Sequence, residues 1–196
     1  GRRLKDAIGA KLHGELEAAA WGAQCSPKMF ETFQPWMAGV YLELCGYIKL
    51  GFSRYFGVDH VIEQEARERK AELDYFETVE EQLSYFATLD RKTEIAYLRG
   101  VVRNTREDPE LPARLLSAWE TGDVDALTKL VDDGFREVPA LRRRLLVTRN
   151  TKWVSRIRVM LASDKTHFVT VGVGHLVGRD SVVAMLRRKG YKVLGP

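Results

Sequence analysis

A chain of 196 residues is the size of one domain with a real hydrophobic core. Its 45% hydrophobic and 30% charged content excludes wholesale disorder. A net charge of +4, from 31 Lys and Arg against 27 Asp and Glu, is too mild to argue for a nucleic-acid partner.

Apolar residues at Leu4, Ile8, Leu12, Leu16 and Ala19 recur with the helical period and predict an amphipathic helix over 4–21. The opening G-R-R-L-K-D already lies inside that pattern, as though the chain began part-way into a longer protein. Ser26-Pro27 predicts a short helix toward Phe33, with Ser26 as its cap. The run 34–52 is long, apolar and aromatic, with Glu43 its only acid and Lys49 its only base. It reads as a helix starting near Pro35 and buried on most sides, either as a lid over a cleft or as a face covered by another subunit. It is too short for a transmembrane span, and no run of about 20 apolar residues occurs elsewhere.

Asp59 suits the N-cap of a strongly charged helix reaching Lys70. Residues 73–76 read as a short strand with Glu77 at its tip. Thr78 and Glu81 have capping-box spacing and open a helix through Ala87. Residues 90–106 are helical, with Ile95, Leu98 and Val102 on one face. A helix pair over 109–121 and 124–133 turns at Gly122-Asp123, Asp123 capping the second. The helix over 139–147 carries Arg142, Arg143 and Arg144, which point in three directions and form no single patch. Asn150 is a natural cap for a helix over 151–161, whose inner face holds Trp153, Ile157 and Met160.

The stretch H-F-V-T-V-G-V-G-H-L-V-G over 167–178 organises the rest. Residues 168–173 are apolar and β-branched and predict a fully buried strand. His175 then lies in the loop that leaves it. Asp180 would cap a helix over 181–189 that Gly190 ends, and 191–194 predicts another strand. In strand–loop–helix–strand units, groups at the carboxyl end of the strand face the ligand crevice. That rule singles out His175, and Glu77 holds the equivalent place on its own strand. The expected fold is therefore α/β: predominantly helical, with a small, mostly parallel sheet wrapped by helices and incomplete at one edge. The exposed sheet edge would offer a homodimer contact.

Cys25 and Cys45 lack C-x-x-C spacing, which argues against a thiolate zinc site. They would form one disulfide in an exported protein or remain two buried thiols. The glycines of G-x-G-x-x-x-G over 172–178 do not match the dinucleotide fingerprint G-x-G-x-x-G.

Several motifs stand in a distinctive order: Lys28 with Pro35-Trp36, G-V-D at 57–59, F-E-T-V-E-E-Q-L at 76–83, A-W-E-T-G-D at 118–123, R-N-T-K-W at 149–153 and V-G-V-G-H-L-V-G at 171–178. In these motifs and their spacing, over nearly its whole length, the chain resembles the TraB/PrgY/GumN family, in particular the GumN-like bacterial members. Eukaryotic relatives of the TIKI type look like metal-dependent proteases whose site uses two G-x-x-H motifs and an acidic residue. The second G-x-x-H corresponds here to Gly172-Val173-Gly174-His175. The first, in a stretch resembling L-F-G-T-x-H, has no counterpart in these residues, nor does the glutamate that usually follows in the second strand. The resemblance implies a single domain over 1–196 that forms the C-terminal two-thirds of a GumN-like domain. It also implies a periplasmic or extracellular location.

On that resemblance the expected activity is a metal-dependent hydrolase, a peptidase for example, acting on a peptide or small molecule. His175 would ligate Zn, Mn or Co or polarise the scissile carbonyl, Glu77 would be a second ligand or the general base, and Arg149 would orient the substrate. Each residue has a plainer alternative. His175 would be a hydrogen-bonded structural residue, Glu77 an acceptor at a helix start, and Arg149 an internal partner of Glu77 or Asp59. Trp36, Trp119 and Trp153 read as packing anchors. The alternative function is a non-catalytic peptide- or saccharide-binding envelope protein, which a second copy of the chain would join as a dimer.

Overall fold

The computed structural model describes residues 3–195, with Arg54 described by its backbone alone. Helix α1 (Leu4–Gly22) bends at Gly9, whose φ of 80° lies where only glycine sits without strain. A 3-10 turn, Pro27–Phe30, leads to α2 (Pro35–Lys49). Helices α3 (Val58–Glu68) and α4 (Val79–Ala87) follow, then α5 (Arg91–Glu107). The first core cluster joins Leu4, Leu12 and Leu16 of α1 to Phe30, Leu42 and Leu98. Its most extensive pairing is α2 on α5. Gly39 permits the close approach, since a Cβ there would lie 2.6 Å from Cε1 of Tyr97. Cys25 and Cys45 are joined in a disulfide with Cα atoms 6.0 Å apart, which closes the choice between one bridge and two thiols.

The capping signals in the sequence correspond to capping bonds in the structure at several helix starts. Thr78 accepts from the backbone N–H of Glu81, and the Glu81 carboxylate accepts from that of Thr78. Asp90 caps α5. Helix α6 (Leu111–Thr121) ends at left-handed Gly122, and Asp123 caps α7 (Val124–Gly134). Three caps differ from expectation, one of them Asn150, which lies inside a continuous helix rather than at the start of one. Gly57, not Asp59, precedes α3, and the Asp59 carboxylate instead accepts from the hydroxyl of Thr170. Ser181, not Asp180, caps α10 (Val182–Arg188). The Asp180 carboxylate is drawn away to Arg142, 2.8 Å distant.

The two helices expected after Pro139 are one. Helix α8 (Pro139–Arg142) passes through a π-helical segment, Arg143–Thr148, into α9 (Arg149–Leu161), with right-handed helical φ and ψ at both junctions. Trp153 and Val154 of α9 pack on Val182 and Leu186 of α10 in a second core cluster.

The α/β expectation is overturned: among the described residues there is no β-strand, and the architecture is helical. The three segments read as strands, 73–76, 168–173 and 191–194, form no ladder with one another. Phe76, Val171, Tyr191 and Val193 do pack against the second cluster, so the apolar signal was real. The backbone partners are missing. A strand is defined by its neighbour, and β-branched composition records only a surface suited to pairing. The carbonyls of Tyr75 and Val193 are met by the guanidinium groups of Arg156 and Arg187. Residues 166–170 are exposed, with Phe168 at 79%, where full burial was expected. With no sheet there is no sheet edge, and the homodimer contact expected there is withdrawn. No helix among the described residues is long and apolar enough to cross a membrane.

Replacing both Cys25 and Cys45 by Ala should lower unfolding free energy by about 3 kcal/mol, the usual worth of a bridge closing a loop of this size. Denaturant titration in oxidised and reduced states reads this directly. An unchanged midpoint on reduction would show the bridge to be energetically idle.

Candidate functional site

The three residues singled out from sequence, Glu77, Arg149 and His175, gather around one ring, that of Trp153. Residues 149, 150 and 153 lie on neighbouring turns of α9, so Arg149 and Trp153 share a face and Asn150 lies beside them. Glu77 arrives from the segment before α4, and its side chain is 3% exposed. Its Oε2 accepts from Nε of Arg149 at 2.9 Å. Its Oε1 accepts from the Trp153 indole at 3.2 Å and the Tyr85 hydroxyl at 3.1 Å. Arg149 also donates to the carbonyl of Leu145 and lies with Cζ 4.8 Å from the Trp153 ring centroid. Phe76 stacks on Trp153 at 5.2 Å, and the His175 ring lies 4.4 Å from it.

His175 belongs to a 3-10 turn, Val173–His175, and is buried. Its Nδ1 lies 2.6 Å from Oδ1 of Asn150, while Nδ2 of Asn150 donates to the carbonyl of Asp180 at 2.7 Å. A carbonyl only accepts, so the Asp180 end fixes the amide with its NH2 there and its oxygen toward the histidine. The imidazole must then donate from Nδ1, which leaves the lone pair on Nε2. That nitrogen has no hydrogen bond to a described residue. It is not sealed from solvent either, since no fully buried side-chain N or O atom lacks a partner among the described residues. Burial, and then the nearby Arg149 cation, push the His175 pKa down to about 4. At neutral pH the site therefore presents a neutral imidazole with an accepting Nε2, able to take a hydrogen bond, a proton or a metal ion.

Glu77 is differently placed. Both its oxygens are engaged, and an arginine already supplies the opposite charge. It cannot act as a ligand or a base without first leaving Arg149. Arg149 in turn is spent on Glu77, the internal pairing weighed above, rather than presented to a substrate. Among the described residues there is no group of three or more His, Cys, Asp and Glu side chains able to hold a metal ion. His175 is thus a fit donor, but these side chains do not compose a metal centre.

The remaining histidines stand elsewhere: His13 beside Glu17, His60 against the ring of Tyr55, and His167 on Ser163. Asn150, Trp153 and Tyr85 were missed as members of the site. The i, i+1 and i, i+4 spacing from Arg149 was a usable signal for the first two. Nothing local marked Tyr85.

Two outcomes follow from this geometry. Between about pH 6.5 and 4 the unfolded chain binds a proton that folded His175 refuses. Stability should fall as pH drops through that window and level off below it, by on the order of 3 kcal/mol. A His175→Asn variant, which has no imidazole to titrate, should lose less over the same window. Imidazole NMR should show the Nδ1–H tautomer at pH 7 and no protonation at pH 5.5, and an imidazolium signal there would refute the assignment. Separately, Glu77→Gln should cost about 3–5 kcal/mol, because it leaves the Arg149 cation buried and unpaired. Adding Arg149→Met should recover part of that loss, and strict additivity in the double-mutant cycle would show the pair to be uncoupled.

Comparisons with known proteins accord with these motifs. Residues 1–194 match the model of the TraB/PrgY/gumN family. The chain is 28% identical over 165 residues to "Metalloprotease TIKI1" of Danio rerio, covering 69% of this chain and 33% of that protein. It is 25% identical over 184 residues to "Uncharacterized protein YbaP" of Escherichia coli (strain K12), covering 94% of this chain and 68% of that protein. A 55-residue stretch is 40% identical to human "Metalloprotease TIKI1", covering 27% of this chain and 11% of that protein. The chain thus spans about a third of the zebrafish relative and about two-thirds of the bacterial one. No solved structure matches. By the extent of the family match, this chain belongs to the TraB/PrgY/GumN family.

Proposed function

We propose that this chain is a non-catalytic binding protein that takes up a peptide along the 166–172 run, beside the Trp153–His175 cluster. The carrying observation is the backbone of that run. It continues without turn or bend, and residues 166–171 make no backbone–backbone hydrogen bond to any described residue. Its side chains are strand formers, and Phe168 and Val169 are exposed. A row of free N–H and C=O groups with apolar side chains beside it is what an extended peptide pairs with. His175, just past the end of the run, offers Nε2 to a donor of the bound chain. The Cys25–Cys45 bridge supports an oxidising location, and we place the protein in the periplasm or outside the cell on that ground and by family.

A second reading, metal-dependent hydrolysis, is favoured by one specific feature. The Asn150 contact to Nδ1 is the outer-shell support that orients a ligating histidine. On that reading His175 would be one ligand of Zn, Mn or Co, the described residues not supplying the others, and the metal would contribute Lewis-acid polarisation of a carbonyl. Named similarity to metalloproteases leans the same way.

Peptides selected from a displayed heptapeptide library should bind the purified chain saturably by calorimetry. N-methylation of alternate residues should weaken binding at least tenfold in one register and little in the other, because only one set of amides faces the run. Equal tolerance in both registers, or no selected peptide, would overturn the proposal. Mass spectrometry of the same peptides after incubation with Zn, Mn or Co should find them intact. Cleavage that His175→Ala abolishes would move the assignment to the hydrolase.

A further inference from the structure

A pocket remote from Trp153 opens where the end of α1, the last two turns of α2, α5 and the segment entering α6 meet. Its volume is about 150 Å³, the size of an apolar cavity that accepts benzene. Ala23, Tyr47, Leu50, Val101, Leu111 and Pro112 supply apolar wall. Glu43, the single acid of the long apolar run, projects into it. The Tyr97 hydroxyl donates to Oε2 of Glu43 at 2.7 Å, held there by the ring's seat on Gly39. Oε1 has no hydrogen-bond partner among the described residues, and no cation pairs with the carboxylate. The Glu43 side chain is open to the pocket's solvent-accessible space, yet the protein crowded around it raises its pKa above the usual carboxylate range, the tyrosine bond opposing this. The half-buried side-chain amide of Asn104 also lines the pocket and makes no hydrogen bond to a described residue.

The charge lining this space selects the sign of an occupant. Asp108 is neutralised by a two-point contact with Arg114. That leaves Glu43 within and Glu110 at the lining as uncommitted acids, against Lys49 as the one lining base. We propose that the pocket is a binding site for a small organic ammonium ion with a benzene-sized apolar body, its N–H groups on Glu43 Oε1 and the Asn104 amide oxygen. An ammonium ion supplies the counter-charge that no described side chain gives Glu43, and the body displaces water from the apolar walls. The site shares no residue with the Trp153–His175 cluster and does not depend on the function proposed there.

Benzylamine is the probe, titrated into the oxidised full chain and followed by calorimetry and NMR shifts. Saturable binding is expected, with benzyl alcohol and benzoate at least tenfold weaker. Glu43→Gln, which keeps an acceptor for Tyr97 and so the local fold, should weaken benzylamine at least tenfold. Gly46→Leu should block it by filling the pocket, since a Cβ at Gly46 meets no atom within 4 Å. His175→Ala should leave it unchanged. The proposal is overturned if benzyl alcohol binds as well as the amine, if a folded Glu43→Gln chain keeps its affinity, or if the native chain shows no saturable binding.

Discussion

The buried ion pair of Glu77 and Arg149 is the constraint on which the C-terminal part of the molecule turns. A carboxylate with 3% exposure is tolerable only if every oxygen is served, and here a guanidinium, an indole and a phenol serve it. The donors come from α4 and α9, and the carboxylate from the segment between α3 and α4. The pair thus fixes where those parts meet without any sheet to align them. It also sets the electrostatic tone for the neighbouring histidine, since the Arg149 cation adds to burial in holding His175 neutral.

That arrangement separates two roles that a reading by residue type would merge. Arg149 and Glu77 answer one another and face inward. His175 is oriented by Asn150 and Asp180 and keeps one nitrogen uncommitted. An acceptor poised in this way serves binding and metal ligation equally well. What favours binding is the surrounding chain: the described side chains bring one donor, not three, while the adjacent backbone run has hydrogen-bonding groups to spare.

Legibility in the sequence followed the range of the interaction. Caps at Thr78 and Asp123 and the turn at Gly122 depend on residues within a few positions, and they were readable. The strands failed because pairing is a property of two segments, and an apolar run such as 168–173 carries no information about whether a partner is present. Asp180 misled for a related reason: its neighbour Ser181 is an equally good cap, and Arg142, distant in sequence, decided between them. At the site, His175, Glu77 and Arg149 stood out by chemistry and family motif. Trp153 reads from sequence as a packing anchor and is one, while its indole N–H also holds the carboxylate. Packing and polar roles in one side chain cannot be told apart before the fold brings the acceptor to it.

The π-helical segment at Arg143–Thr148 has a consequence for how this helix tolerates change. Leu141 and Leu146 are both buried, yet five residues apart they would stand roughly 140° out of phase in a regular α-helix. The wider turn brings i and i+5 to the same side and then returns α9 to its normal pitch. In effect one residue is slack, held in the helix without advancing its phase. Loss of a residue within 143–148 could be absorbed by reversion to α geometry, leaving Arg149, Asn150 and Trp153 aimed as before. The same deletion inside α9 would rotate Trp153 away from Arg149. The segment is thus a length buffer immediately upstream of the site, a stretch of the long helix where a one-residue deletion need not reach the chemistry.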